Sequence, residues 1–75
     1  MKIIDELGNT ELHIAAFKND VEKINELIGK GADTEVKNLM NLTPLIFSVM
    51  GNSIEAFECL IEFNVHAKYN YNEVE

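Results

Sequence analysis

Thr10-Glu11-Leu12-His13-Ile14-Ala15-Ala16 is answered 33 residues later by Thr43-Pro44-Leu45-Ile46-Phe47-Ser48-Val49. A fixed offset constrains the fold more than any single residue. It makes the chain a stack of similar units, each burying an apolar face on its neighbour. Sliding the sequence by 33 also pairs Leu12 with Leu45, Asn19 with Asn52, Glu22 with Glu55, Leu27 with Leu60 and Ile28 with Ile61. Conservative pairs fill the gaps: Asp5 with Asn38, Ile14 with Phe47, Val21 with Ile54, Ile24 with Phe57. The identities fall at apolar and cap-like positions, and that placement gives them weight.

Each unit reads as two short helices. Thr10 is a candidate N-cap for a helix over about 11–18. Asp20 caps a second over about 21–29, in which Val21, Ile24, Leu27 and Ile28 form one apolar stripe. Gly29 and Gly31 end it. In the second unit Pro44 takes the first helical position, where its missing N–H costs nothing. Ser53 is the expected cap of the last helix, whose stripe is Ile54, Phe57, Leu60 and Ile61. Asp33 to Leu42 reads as a turn-like connection. A four-helix bundle would explain the stripes, but neither the offset nor the recurrence of Thr-x-Leu at the same helix start.

Composition narrows the function. The chain has 75 residues, enough for one small domain of marginal stability. It is 47% hydrophobic, as a folded protein is. Its formal charge is −7, with no arginine. Residues 1–37 hold eight acids against five lysines, and residues 38–75 five acids against one. Both halves repel phosphate, which argues against nucleic acid and against an anionic membrane surface as partners. No apolar run approaches the roughly 18 residues of a membrane span. Met1-Lys2-Ile3-Ile4 is too short for a signal peptide, and Asp5-Glu6 interrupts it. The single cysteine forms no internal disulfide and suits a reducing compartment. A cytoplasmic or otherwise intracellular protein is expected.

The first unit's Asp5, Gly8, Thr10, Leu12, His13, Ala15 and Ala16, then Glu22, Leu27, Ile28 and Gly31-Ala32-Asp33, resemble the ankyrin repeat. The second unit keeps Thr43, Pro44, Leu45, Glu55, Leu60 and Ile61. The resemblance covers roughly residues 5–70. It implies an all-α, ankyrin-like solenoid of two helix–turn–helix repeats joined by a hairpin-like loop. The whole chain, 1–75, would be one domain, with repeat 1 about 5–37 and repeat 2 about 38–70. Glu11 replaces the family proline, Ile46 the family histidine and Asn41 the turn glycine. Asn64-Val65-His66 stands where Gly-Ala-Asp is expected. Asparagine tolerates positive φ, so Asn41 and Asn64 are both expected to serve as turns. A frayed second unit is typical of a terminal repeat. Two repeats fall short of the usual minimum of about three. A fragment of a longer array, or a partner covering the open end, is therefore expected.

The tempting polar residues have plain readings. The resemblance makes His13 structural, its ring bonded to the Thr10 hydroxyl and nearby backbone. Neither His13 nor His66 has a second ligand at metal spacing. Cys59 reads as a small buried hydrophobe with no basic neighbour to activate it. Glu55, Glu58 and Glu62 read as a solvated face, and Glu26 with Lys30 as a surface pair.

The informative anomaly is apolar. Leu39, Met40 and Leu42 lie in the loop, where turn chemistry predicts polar residues. The resemblance places the hairpin tip and one side of the first helix on a concave recognition face. Its variable positions fall on Glu6, Leu7, Asn9, Phe17 and Lys18, then on Lys37, Leu39, Met40, Leu42, Met50 and Asn70. Leu7, Phe17, Leu39, Met40, Leu42 and Met50 would form an apolar strip flanked by Lys18 and Lys37, unless some of them pack internally. Contiguous exposed apolar surface marks interfaces, and methionine suits adaptable ones.

The expected function is a non-enzymatic protein–protein interaction module without catalytic residues, metal or cofactor, its partner being another protein. The alternatives are a homodimer that extends the stack and an accessory repeat fragment of a larger protein.

Overall fold

Thr10 starts the first helix as its chemistry suggests. The computed structural model describes residues 3–69, with side chains through residue 65. Helix α1 spans Glu11–Phe17. The Thr10 hydroxyl accepts the His13 N–H, and His13 Nδ1 accepts the Thr10 N–H at 3.0 Å, closing a capping box. The chain then reverses through Asn19 at φ 61. The Asp20 N–H donates to the Ala15 carbonyl at 2.9 Å. Asp20 caps α2, Val21–Gly29, by accepting the Lys23 N–H at 3.1 Å. Gly31, at φ 94, ends that helix.

The second unit repeats this plan. Thr43 caps α3, Pro44–Met50, with the proline at the start. Asn52 reverses the chain at φ 55, and the Ser53 N–H donates to the Ser48 carbonyl at 2.8 Å. Each partner is the 33-residue counterpart of its predecessor in unit one. Helix α4 follows, Ile54–Tyr69. Two antiparallel helix pairs result. Among the described residues the only β-pairing is an isolated bridge between Ile3 and Thr10.

The expected turn at Asn64 does not form. Asn64 and Val65 lie inside α4, which has 16 residues against nine in α2. The reason is local. Where α2 meets Gly29 and Gly31, α4 has Glu62 and Asn64, and neither compels the chain to leave the helix. Asn41 does take the turn conformation, at φ 69.

The core lies between the pairs. Leu12, Ala15, Ala16, Ile24 and Leu27 from unit one pack with Phe47, Ala56 and Leu60 from unit two. Three alanines in this set let helices approach closely. The junction is tightest at Gly51, where any Cβ would collide with the Phe17 carbonyl oxygen. Ser53 Oγ donates to that same carbonyl at 2.7 Å. The hydroxyl is thereby turned away from its own helix, so Ser53 does not supply the expected side-chain cap. Asn19 supplies it across the junction: its Oδ1 accepts the Ala56 N–H at 2.8 Å.

Candidate protein-interaction surface

Two turn-bearing arms precede α1 and α3, one closed by the Ile3–Thr10 bridge and one by the Asn38 N–H bonded to the Leu42 carbonyl, and polar side chains fold them. Asp5 Oδ1 accepts the N–H groups of Leu7 and Asn9, both at 3.0 Å. Asn38 repeats the arrangement 33 residues on, accepting from Met40 and Leu42 at 2.9 Å each. Asn9 joins the arms. Its Nδ2 donates to Asp5 Oδ2 at 2.9 Å, and its Oδ1 accepts from Asn38 Nδ2 at 2.8 Å. These bonds hold the Asp5 carboxyl below its usual range, the Asn9 N–H being the largest cause. Asn9 is therefore buried and committed to the scaffold, not displayed as its variable position implied.

With polar groups satisfied below, apolar side chains are left on the tips. Leu39 donates its N–H to the Leu7 carbonyl at 2.9 Å, which sets Leu7 and Leu39 on adjoining arms. Leu39 also overlies Gly8, whose φ of 79 and crowding by Leu39 leave no room for a side chain. Leu7 is 54% exposed, Leu39 76% and Met40 65%. Phe17 and Met50 end the seven-residue helices α1 and α3, and are 46% and 56% exposed. A helix of that length is about 10 Å long, so each lies at the opposite end of its helix from the capping Thr10 or Thr43. The apolar positions thus form two groups, the tips and the helix ends, with Lys37 exposed near the first and Lys18 near the second. Leu42 belongs to neither: it is half-buried and packs against the core. Asn70 lies outside the described residues.

His13 is fully buried. Because Nδ1 accepts the Thr10 N–H, the ring proton sits on Nε2 and is donated to the Leu42 carbonyl at 2.8 Å. One imidazole thus caps a helix and ties it to the neighbouring arm. It also meets Phe47 edge-on, ring centroids 5.0 Å apart. The role is structural. The side chain of His66 lies outside the described residues.

The other titratable groups follow local chemistry. Glu26 is held below its usual range by Lys30, 3.2 Å away, and then by Lys23. Glu55 is lowered chiefly by a 2.7 Å bond from Asn19 Nδ2. Burial, and then Glu62, push the Cys59 thiol up. That thiol is half-buried against the core and lies 3.6 Å from Asn25 Oδ1, the setting of an unreactive cysteine. Among the described residues no group of three or more His, Cys, Asp or Glu is placed to hold a metal. No helix among them is long and apolar enough to cross a membrane.

The offset hid one functional feature. Asn19 and Asn52 are identical across it, yet only the structure shows that Asn19 works between units. Ile54, expected in the apolar stripe of α4, is 59% exposed, and Val49 near the end of α3 is 61% exposed.

The family model for ankyrin repeats, built for three copies, matches residues 7–74. Together with the paired helices, the turn-bearing arms before α1 and α3 and the histidine-anchored start of α1, this match shows that the chain belongs to the ankyrin repeat family. It is 36% identical over 59 residues, 79% of its length, to the human transient receptor potential cation channel subfamily A member 1. It is 39% identical over 67 residues, 87% of its length, to the ankyrin repeat protein FPV219 of fowlpox virus. An ankyrin repeat protein of Rickettsia bellii is 30% identical over 69 residues, 91% of the chain. The chain spans only 5%, 15% and 8% of those three relatives.

Proposed function

We propose that the chain is a non-enzymatic protein-interaction module, one domain of two repeats divided near residue 38, working in an intracellular setting. Ankyrin repeats are in general protein-binding modules. The reading specific to this chain is that Leu7, Leu39 and Met40 on the tips, with Phe17 and Met50 at the helix ends, contact the partner. Lys18 and Lys37 set orientation from the rim, and Leu42 supports the strip from below. The observation that carries this reading is the exposure of five large apolar side chains on a scaffold whose buried side-chain N and O atoms, among the described residues, all have hydrogen-bond partners. Aliphatic and aromatic anchors supply most of the binding energy in such a surface, and charges mainly steer. The net charge of −7 favours a protein over a nucleic acid as the partner.

A photo-crosslinking residue placed at Met40 tests this in native lysate, with the exposed Glu62 on α4 as control. Discrete crosslinked protein from Met40 and none from Glu62 is expected. Equal crosslinking from both positions contradicts the assigned face.

A further inference from the structure

Beyond Asn64 the sequence pattern and helix α4 disagree. Val65-His66-Ala67-Lys68-Tyr69-Asn70-Tyr71-Asn72 alternates apolar and polar residues without a break. That is the pattern of an extended segment with one buried edge. Yet α4 runs on to Tyr69. A helix turns about 100° per residue, so position 67 falls on the side opposite 65 and 69. An extended chain puts all three on one side.

Unit one shows what such alternation does when the chain is extended. Ala32, Thr34 and Val36 are half-buried and Asn38 is buried, whereas Gly31, Asp33, Glu35 and Lys37 are exposed. The 33-residue offset sets Val65, Ala67 and Tyr69 on Ala32, Thr34 and Val36. The apolar phase of 65–69 is thus the buried phase of 32–36. Position 64 decides between the two courses. Its counterpart Gly31 takes φ 94 and leads the chain out of α2. Asn64 stays helical, although asparagine enters the left-handed region more readily than other side chains.

A place for the extended course exists. A groove of about 370 Å³ lies between the arm, the start of α3 and α4, lined by Thr34, Lys37, Leu45, Ile61, Asn64 and Val65, among others. The Thr34 hydroxyl donates to Asn64 Oδ1 at 2.6 Å, so the arm already holds position 64.

We propose that residues 65–69 are a strap with two states, hinged at Asn64. In one state they continue α4 and leave the groove open. In the other, Asn64 takes the left-handed turn of Gly31 and the strap lies extended along 34–36. Ala67 and Tyr69 then enter the groove. The exchange costs little. Terminal helical turns open easily, asparagine is a poor helix former, and burial of the tyrosine ring offsets the helical bonds that are lost. The device belongs to unit two alone, because Gly29 and Gly31 commit unit one to the turn.

The test is NMR of the full isotope-labelled chain beside Asn64→Gly and Asn64→Ala. Glycine favours the turn, and alanine favours the helix about threefold over asparagine. In the unsubstituted chain the Cα shifts of Val65, Ala67 and Tyr69 are expected between helical and extended values. Asn64→Gly moves them toward extended values, and the Leu45 and Ile61 methyls shift with them as the groove fills. Asn64→Ala moves both sets the opposite way. Three outcomes overturn the strap. One is the same set of Cα shifts in all three proteins. Another is movement at 65–69 with the groove methyls unchanged, which is fraying without docking. The last is methyl shifts that follow protein concentration, which place a second copy in the groove.

Discussion

Asn19 caps a helix to which it does not belong: its Oδ1 accepts the N–H of Ala56, 2.8 Å away and 37 residues along the chain. Capping usually stabilises one helix, but here it joins two repeats. Asn19→Gly keeps the positive φ and removes both side-chain bonds. Loss of these inter-repeat hydrogen bonds should cost about 1 kcal/mol, read by urea unfolding. Asn52→Gly, with the same backbone and no side-chain partner among the described residues, should change stability by less than about 0.5 kcal/mol. Equal losses would show that the bond contributes nothing across the junction.

Gly51 is required for space, not conformation. Its φ of −88 suits any residue, yet a Cβ would strike the Phe17 carbonyl. Gly51→Ala should therefore destabilise by about 1–3 kcal/mol, since backbone must move. An unchanged thermal midpoint would mean the junction is looser than described.

His13 links Thr10 to Leu42 from a fully buried position. His13→Ala leaves a void and strips two backbone groups of their partner, at a cost of about 2–4 kcal/mol. Its counterpart Ile46 is partly exposed, so Ile46→Ala should cost under about 1.5 kcal/mol. Calorimetry of both variants ranks them, and the reverse order would contradict the role given to His13.

Acid should weaken the fold through Asp5 and Glu55, both held below their ordinary values of 3.8 and 4.5. A lowered pKa contributes stability that is present above the unfolded value. It is lost as pH falls through that value to the folded one. Glu55→Gln should flatten the acid limb of stability against pH between about 5 and 3. A limb as steep as in the unsubstituted chain would remove Glu55 from the account.

The helix starts and stops were legible because each rests on a residue acting locally: Thr10, Asp20, Thr43 and Pro44 at starts, Gly29 and Gly31 at a stop. Cues that depend on partners far along the chain were not. Ser53 reads as a cap until Phe17 is placed beside it. Asn64 reads as a turn because asparagine tolerates one, yet tolerance does not compel, and α4 continues. Asn9 looks variable on an arm, but the Asp5 and Asn38 side chains bury it. Of the strip, Leu39 and Met40, which the loop anomaly singled out, and Leu7, which the resemblance set beside them, are exposed. Leu42, two residues from Met40, faces the core because Asn38 Oδ1 draws in its N–H and His13 its carbonyl.

The exposed strip is the central claim, and partner retention by Phe17→Ala plus Met40→Ala tests it most directly. Phe17 touches Phe47 edge-on at 6.3 Å, so circular dichroism must first show that the double variant keeps its helices. The protein captured by Met40 crosslinking is then titrated against both forms. At least a tenfold loss of affinity is predicted, since two exposed anchors contribute about 1 kcal/mol or more each. Equal affinity for the two forms, with helicity intact, would contradict the strip as the binding surface.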